Sequence, residues 1–274
     1  MKRARTFSVQ FMNFRDLGRD VICHLCQWLT KADVDNLSLS SRIAYQWSFP
    51  YKLATFVFVF QDWPLPFPIP PISRLKFGDN FNKDVTHLPS TLTHLTFGTC
   101  FDQEIPPNGL PPNLTHLTFG HCFNQKIPPN GLPRTLTHLT FGTCFNQEIP
   151  PNGLPPNLTH LTFGGHFNQE IPLDSLPRTL IHLTFGYSFN QKIPPNGLPR
   201  NLTHLTFGHC FNQKIPPRGL PRNLTHLTFG RYYDIETIRE DLATWIYNLQ
   251  YLNGKKFILH PTYPRWTQLK KQRQ

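Results

Sequence analysis

Charge is scarce in this chain. Asp, Glu, Lys and Arg together make up only 16% of its 274 residues, and the 16 acids are outnumbered by 27 bases. Long apolar runs are also lacking. Leu53–Phe60 is the nearest to one and has the length of a strand, not of a membrane span. The basic start Met1–Arg5 is followed by no apolar stretch of signal length. The expected location is therefore the cytoplasm, with the nucleus as the other compartment, and the six cysteines are expected as free thiols. Disorder is excluded despite 28 prolines, because aromatics reach 14% and disordered chains are poor in them.

The net charge of +11 is unevenly placed. Residues 1–78 contribute +5, residues 79–232 contribute +3 and residues 233–274 contribute +3. Arg178, Lys192, Arg200, Lys214, Arg218, Arg222 and Arg231 have no acid among them, so an acidic partner would be steered to the later turns.

The prolines recur in register. Phe-Gly pairs stand at 77, 97, 119, 141, 163, 185, 207 and 229, with a first step of 20 residues and then steps of 22. A second aromatic column runs from Phe81 through Phe211 to Tyr233. One unit reads FNQKIPPNGLPRTLTHLTFGTC, residues 123–144. Its Leu-Thr-His-Leu-Thr-Phe segment alternates, which predicts a short strand with Leu95 and Phe97 inward and His94 and Thr96 outward. Pro-Pro-Asn-Gly predicts a tight turn, and two adjacent prolines exclude a helix on the back of the unit. One turn cannot bury its own apolar residues; stacked turns can. The expected fold is a mainly β solenoid of parallel strands in 22-residue turns over residues 79–232.

The L-x-x-L-x-F spacing resembles the leucine-rich repeat. The Phe-Asn-x-x-Ile-Pro column, as in Phe123-Asn124-Gln125-Lys126-Ile127-Pro128, is closer to the FNIP repeat, a 22-residue relative. Phe101-Asp102 departs from it mildly, and Phe81-Asn82 lacks the Ile-Pro. The stacked Asn124, Asn146, Asn168, Asn190 and Asn212 are expected to form an amide ladder that satisfies backbone groups.

Residues 10–52 differ in kind and predict a helical module. Leu17, Val21, Ile22, Leu25, Leu29, Asp33, Val34, Leu37 and Arg42 fall where an F-box carries its apolar positions and its closing Arg, with Gly18 in place of the usual Pro. That resemblance implies docking to the adaptor protein of a cullin-RING ubiquitin ligase, with Leu17, Val21, Ile22, Leu25, Leu29, Val34, Leu37 and Arg42 as adaptor contacts. The pairing of F-box and FNIP repeats resembles proteins of social amoebae and of giant viruses that infect amoebae. A plain helical cap on the solenoid is the alternative reading of these helices. Residues 53–78, with Pro64, Pro66, Pro68, Pro70 and Pro71, read as a connector and first coil. Residues 233–274 read as a C-terminal helical cap, with Ile235, Ile238, Leu242, Trp245, Ile246 and Leu249 at helical spacing, then an Asn253-Gly254 turn, a strand from Lys256 and a basic tail.

The candidate target-binding residues are two columns. His94, His116, His138, His160, His182, His204 and His226 lie on the open, concave strand face. Neighbouring charges there would repel by roughly 0.9 kcal/mol even in water, so the row is expected to make binding pH-sensitive. The second column varies from turn to turn and includes His121, Tyr187, His209 and Arg231. No metal or cofactor is expected, because the histidines are flanked by Thr and lack further ligands. Thr93 and Thr96 are three apart and cannot share a face, which excludes an ice-binding array. The Cys23–Cys26 pair reads as helix packing. The column Cys100, Cys122, Cys144 and Cys210 follows the strand, where cysteines of leucine-rich repeats are commonly buried. The Asn-Leu-Thr triplets at 113, 157, 201 and 223 belong to the repeat and are not glycan acceptors.

Catalysis needs singular residues converging on one pocket, and here nearly every polar residue exists in six or seven copies. The expected function is non-catalytic: the substrate receptor of an SCF-type ligase that binds an acidic protein target. A repeat scaffold without a ligase role is one alternative. A basic nucleic-acid-binding solenoid is the other, although the open face lacks the basic stripe with stacking aromatics that such binding uses.

Overall fold

The computed structural model describes residues 57–60, 72–85, 88–230, 232–234, 249–253 and 255–256. The F-box-like segment, the proline run at 64–71, the helix expected over 235–248, Arg231 and the basic tail lie outside the described residues.

Alternation makes the strands. In His-Leu-Thr the central Leu is buried and its two neighbours are half-buried, and this pattern recurs in seven consecutive turns. The strands are β3 His94–Thr96, β4 His116–Thr118, β5 His138–Thr140, β6 His160–Thr162, β7 His182–Thr184, β8 His204–Thr206 and β9 His226–Thr228. β1 Val57–Phe60 and β2 Arg74–Phe77 precede them, and β10 Tyr251–Leu252 and β11 Lys255–Lys256 follow. Together they form one 11-stranded sheet in sequence order. Every pairing is parallel except the last, β10 with β11, which turns back at Asn253. Register is strict: each His pairs with the His of the next turn, and each Leu with the next Leu. Among the described residues there is no helix.

The strands are shorter than the six-residue alternation predicts. The flanking residues bond across turns in another pattern. Thr115 N and His116 N both donate to Thr93 O, while Phe97 N donates forward to Thr118 O.

The interior is built from ladders. Within a turn Phe97 stacks on Phe101 at 3.9 Å; between turns Phe97 follows to Phe119 at 5.5 Å and Phe101 to Phe123 at 6.0 Å. Tyr233 ends the second ladder against Phe229 at 4.1 Å. The distances between turns suit offset-stacked rings, while the pairs within a turn lie closer and nearly face to face. Columns of Leu and Ile fill the rest of one continuous core, which Leu249 and Leu252 extend at its C-terminal end.

The predicted tight turn has a defined form. Gly109 N donates to Pro106 O at 2.9 Å, and Asn108 takes φ of 55°. Pro at the second position and a positive φ at the third are the marks of a type II turn. Asn130, Asn152 and Asn196 repeat it, while Asp174 and Arg218 occupy the same strained position in their turns.

The Asn column forms the expected ladder, half-buried for most of its length. Asn146 N and Gln147 Nε2 both donate to Asn124 Oδ1, at 2.8 and 3.2 Å. Asp102 does the same work one turn earlier, accepting from Asn124 N at 2.8 Å. The cysteine column departs from expectation: Cys100 and Cys210 are exposed, and Cys122 and Cys144 are half-buried. The next residue in each turn is the inward Phe, so the cysteine before it points out.

Candidate target-binding face

The outward face of the sheet carries the His column. The imidazoles stack in register at 4.0 to 4.3 Å from His94 to His226, and Tyr251 of β10 closes the row against His226 at 4.5 Å. A Thr precedes six of these histidines and braces them. The Thr115 hydroxyl donates to Thr93 O at 3.0 Å and lies 2.9 Å from His116 Nδ1. A hydroxyl has one proton, so donation to the carbonyl assigns the imidazole proton to Nδ1 and leaves Nε2 as the free edge. The Thr of the column before each His is thus part of the ladder, while the Thr two residues further on shares the outward face with the His.

Burial and crowding favour the neutral imidazole from His94 to His204. His116 and His182 are lowered to about 4, first by burial and then by the neighbouring imidazoles. His94 is lowered by burial, by the Arg74 guanidinium and by His138. His138, His160 and His204 are lowered as well, chiefly by burial. These six rings are therefore uncharged at neutral pH. Stacked rings set their nitrogens side by side and do not converge on a point. Among the described residues no three His, Cys, Asp or Glu side chains are grouped to hold a metal ion.

The variable column runs along the strand-exit edge. Tyr187 stacks on His209 at 5.1 Å, and His209 meets Tyr232 edge-on at 6.5 Å. The structure so brings Tyr187 and His209 together, leaves His121 apart three turns before Tyr187 in the column, and adds Tyr232. Sequence reasoning missed Tyr232. Its signal was that it directly precedes the buried Tyr233 in place of the usual small residue or Cys, and one of two adjacent tyrosines must face out.

Comparison with known proteins agrees with this architecture. The model of the FNIP Repeat family matches residues 68–100, 101–144, 145–188, 167–210, 189–232 and 211–239, more than half of the chain. No curated protein sequence matches. Among solved structures, that of CroV588, described as a novel circular LRR protein, is similar at 44% identity with a TM-score of 0.66. The likeness covers 76% of this chain but only 32% of that one, so the chain spans about a third of the length of its structural neighbour.

Proposed function

The chain belongs to the FNIP repeat family, and on that premise we propose that it is a non-catalytic binding subunit, the substrate receptor of an SCF-type cullin-RING ubiquitin ligase. The repeat scaffold holds a protein target, and the N-terminal residues Leu17, Val21, Ile22, Leu25, Leu29, Val34, Leu37 and Arg42 dock to the adaptor. The observation that carries the scaffold reading is the repetition of one outward pattern, His and Thr, through seven turns of one sheet. A surface of that kind grips a partner over a length and offers no single point for chemistry. The adaptor half rests on the F-box resemblance of the sequence. On this reading the protein works in the cytoplasm or nucleus, where thiols stay reduced.

Co-purification of the full chain with the ligase adaptor tests this. The intact chain is compared with a Leu25→Asp, Leu29→Asp double variant whose repeat array still melts cooperatively. Stoichiometric binding lost in the variant supports the receptor. A well-folded intact chain that fails to bind leaves a repeat scaffold without a ligase role.

A further inference from the structure

We propose that the protein target seats one flat side chain at Gly165, on the strand-exit edge, within an acidic segment that runs on toward the later turns. This rests on the target-binding reading and assigns it a place.

The residue after each Phe-Gly pair forms the column Thr99, His121, Thr143, Gly165, Tyr187 and His209. Backbone bonds hold successive members in register: Cys144 N donates to His121 O, His166 N to Thr143 O and Ser188 N to Gly165 O. One side chain per turn therefore stacks along this edge, except at Gly165. Tyr187 gives one ring face to His209. On its other side the next place in the column is Gly165, which has no side chain to set against the ring. A Cβ at Gly165 would meet only Thr143, its Cγ2 at 3.0 Å and its O at 3.9 Å. The notch is thus bounded by Thr143 on one side and Tyr187 on the other. Two turns at the ordinary strand spacing separate them by about 10 Å, which admits one ring at the roughly 4.5–7 Å centroid spacing of aromatic pairs.

The exposure of these rings has no structural need behind it. Tyr187 is 58% exposed and Tyr232 71%, while every Phe in the ladders is buried. Tyrosines of this kind are what protein interfaces concentrate.

Charge gives the partner its sign and direction. Residues 177–232 hold seven Lys and Arg and no acid. Lys192 and Lys214 stand five residues beyond Tyr187 and His209, on the same exit flank; the equivalent places in the two preceding turns are Glu148 and Glu170. An acidic segment anchored at Gly165 is attracted toward Lys192, Lys214 and the later turns and turned away from Glu148 in the turn before. A single strand of nucleic acid is disfavoured: the notch presents one face of one ring, that of Tyr187, whereas strand-binding surfaces stack successive bases.

The test is selection of a random dodecapeptide phage library on the full chain, followed by binding of a synthetic selected peptide. Gly165→Thr fills the notch with the residue that Thr99 and Thr143 already place in this column, and its melting temperature checks the fold. Selected peptides are expected to carry an aromatic residue beside a run of Asp or Glu. They should bind about tenfold or more weakly to Gly165→Thr and to Tyr187→Thr, and more weakly in high salt. Peptides that bind Gly165→Thr as tightly as the parent overturn the notch and leave the target-binding reading standing. A chain that enriches no peptide overturns both. An oligouridine that binds more tightly than the peptide and is lost in Gly165→Thr reassigns the notch to nucleic acid.

Discussion

Ile181 stands directly before His182, and the Nδ1 of that imidazole therefore lacks the hydroxyl that lies 2.8 to 2.9 Å from Nδ1 in the six other turns. The isoleucine is itself 37% exposed and gains little from its place. Ile181→Thr should restore the missing brace and add about 0.5–1 kcal/mol of stability, the net value of one hydrogen bond. A denaturant midpoint that does not rise would show that the bracing threonines contribute nothing.

The glycine of each Phe-Gly pair is demanded by the turn before it. A Cβ on Gly142 would stand 1.6 Å from Gly120 O and 2.5 Å from its carbonyl carbon. Both obstacles are backbone, which cannot rotate away. Gly142→Ala should cost about 3 kcal/mol or more and raise hydrogen exchange first in the turns on either side. A variant as stable as the parent would mean that the turns can separate without cost.

Arg218 holds φ of 63° where four other turns use Asn. A side chain branching into the left-handed region costs roughly 1–2 kcal/mol, and Asn tolerates it better than most residues. Arg218→Asn should stabilise the array by about 0.5–1 kcal/mol in thermal or denaturant unfolding. Loss of stability would assign Arg218 a contact worth more than its strain.

Acid should weaken the array through the His column. In the unfolded chain a histidine takes up its proton near pH 6.5. In the folded chain burial and neighbouring rings lower that value, to about 4 for His116 and His182. The unfolded state therefore binds more protons between these limits, and stability falls with pH there. The stability is fully present above about pH 6.5 and is lost progressively down to about pH 4. Melting temperatures across that range check it, with His116→Gln, His182→Gln as the comparison. That variant should show a flatter decline, and an unchanged one would clear these residues of the effect.

Much of this fold was legible because it repeats. The 22-residue step, the inward Leu95 and Phe97, the outward His94 and the turn at Pro106–Gly109 each follow from a local rule, and seven copies remove the ambiguity of one. What did not follow were contacts between turns. The need for glycine at 98, 120 and 142 arises from the carbonyl of the preceding turn, which no reading within a unit exposes. The cysteines were expected inside by analogy, whereas Phe101 already fills the interior place beside Cys100. The candidate site divides in the same way. The His face was legible from alternation, but the pairing of Tyr187 with His209 and the notch at Gly165 depend on register between turns. Tyr232 interrupts the pattern only once, so no column drew attention to it.

The strands of the sheet follow one another in chain order, each bonded to the strand before and the strand after. A pull on the two ends of the array is then borne by one rung at a time, and among the described residues no long-range strap shares the load. Each turn that peels away frees 22 residues, about 70 Å of slack once extended. Stretched in a partner's grip, the array would pay out as a series of equal steps, a molecular tether whose length is counted in turns.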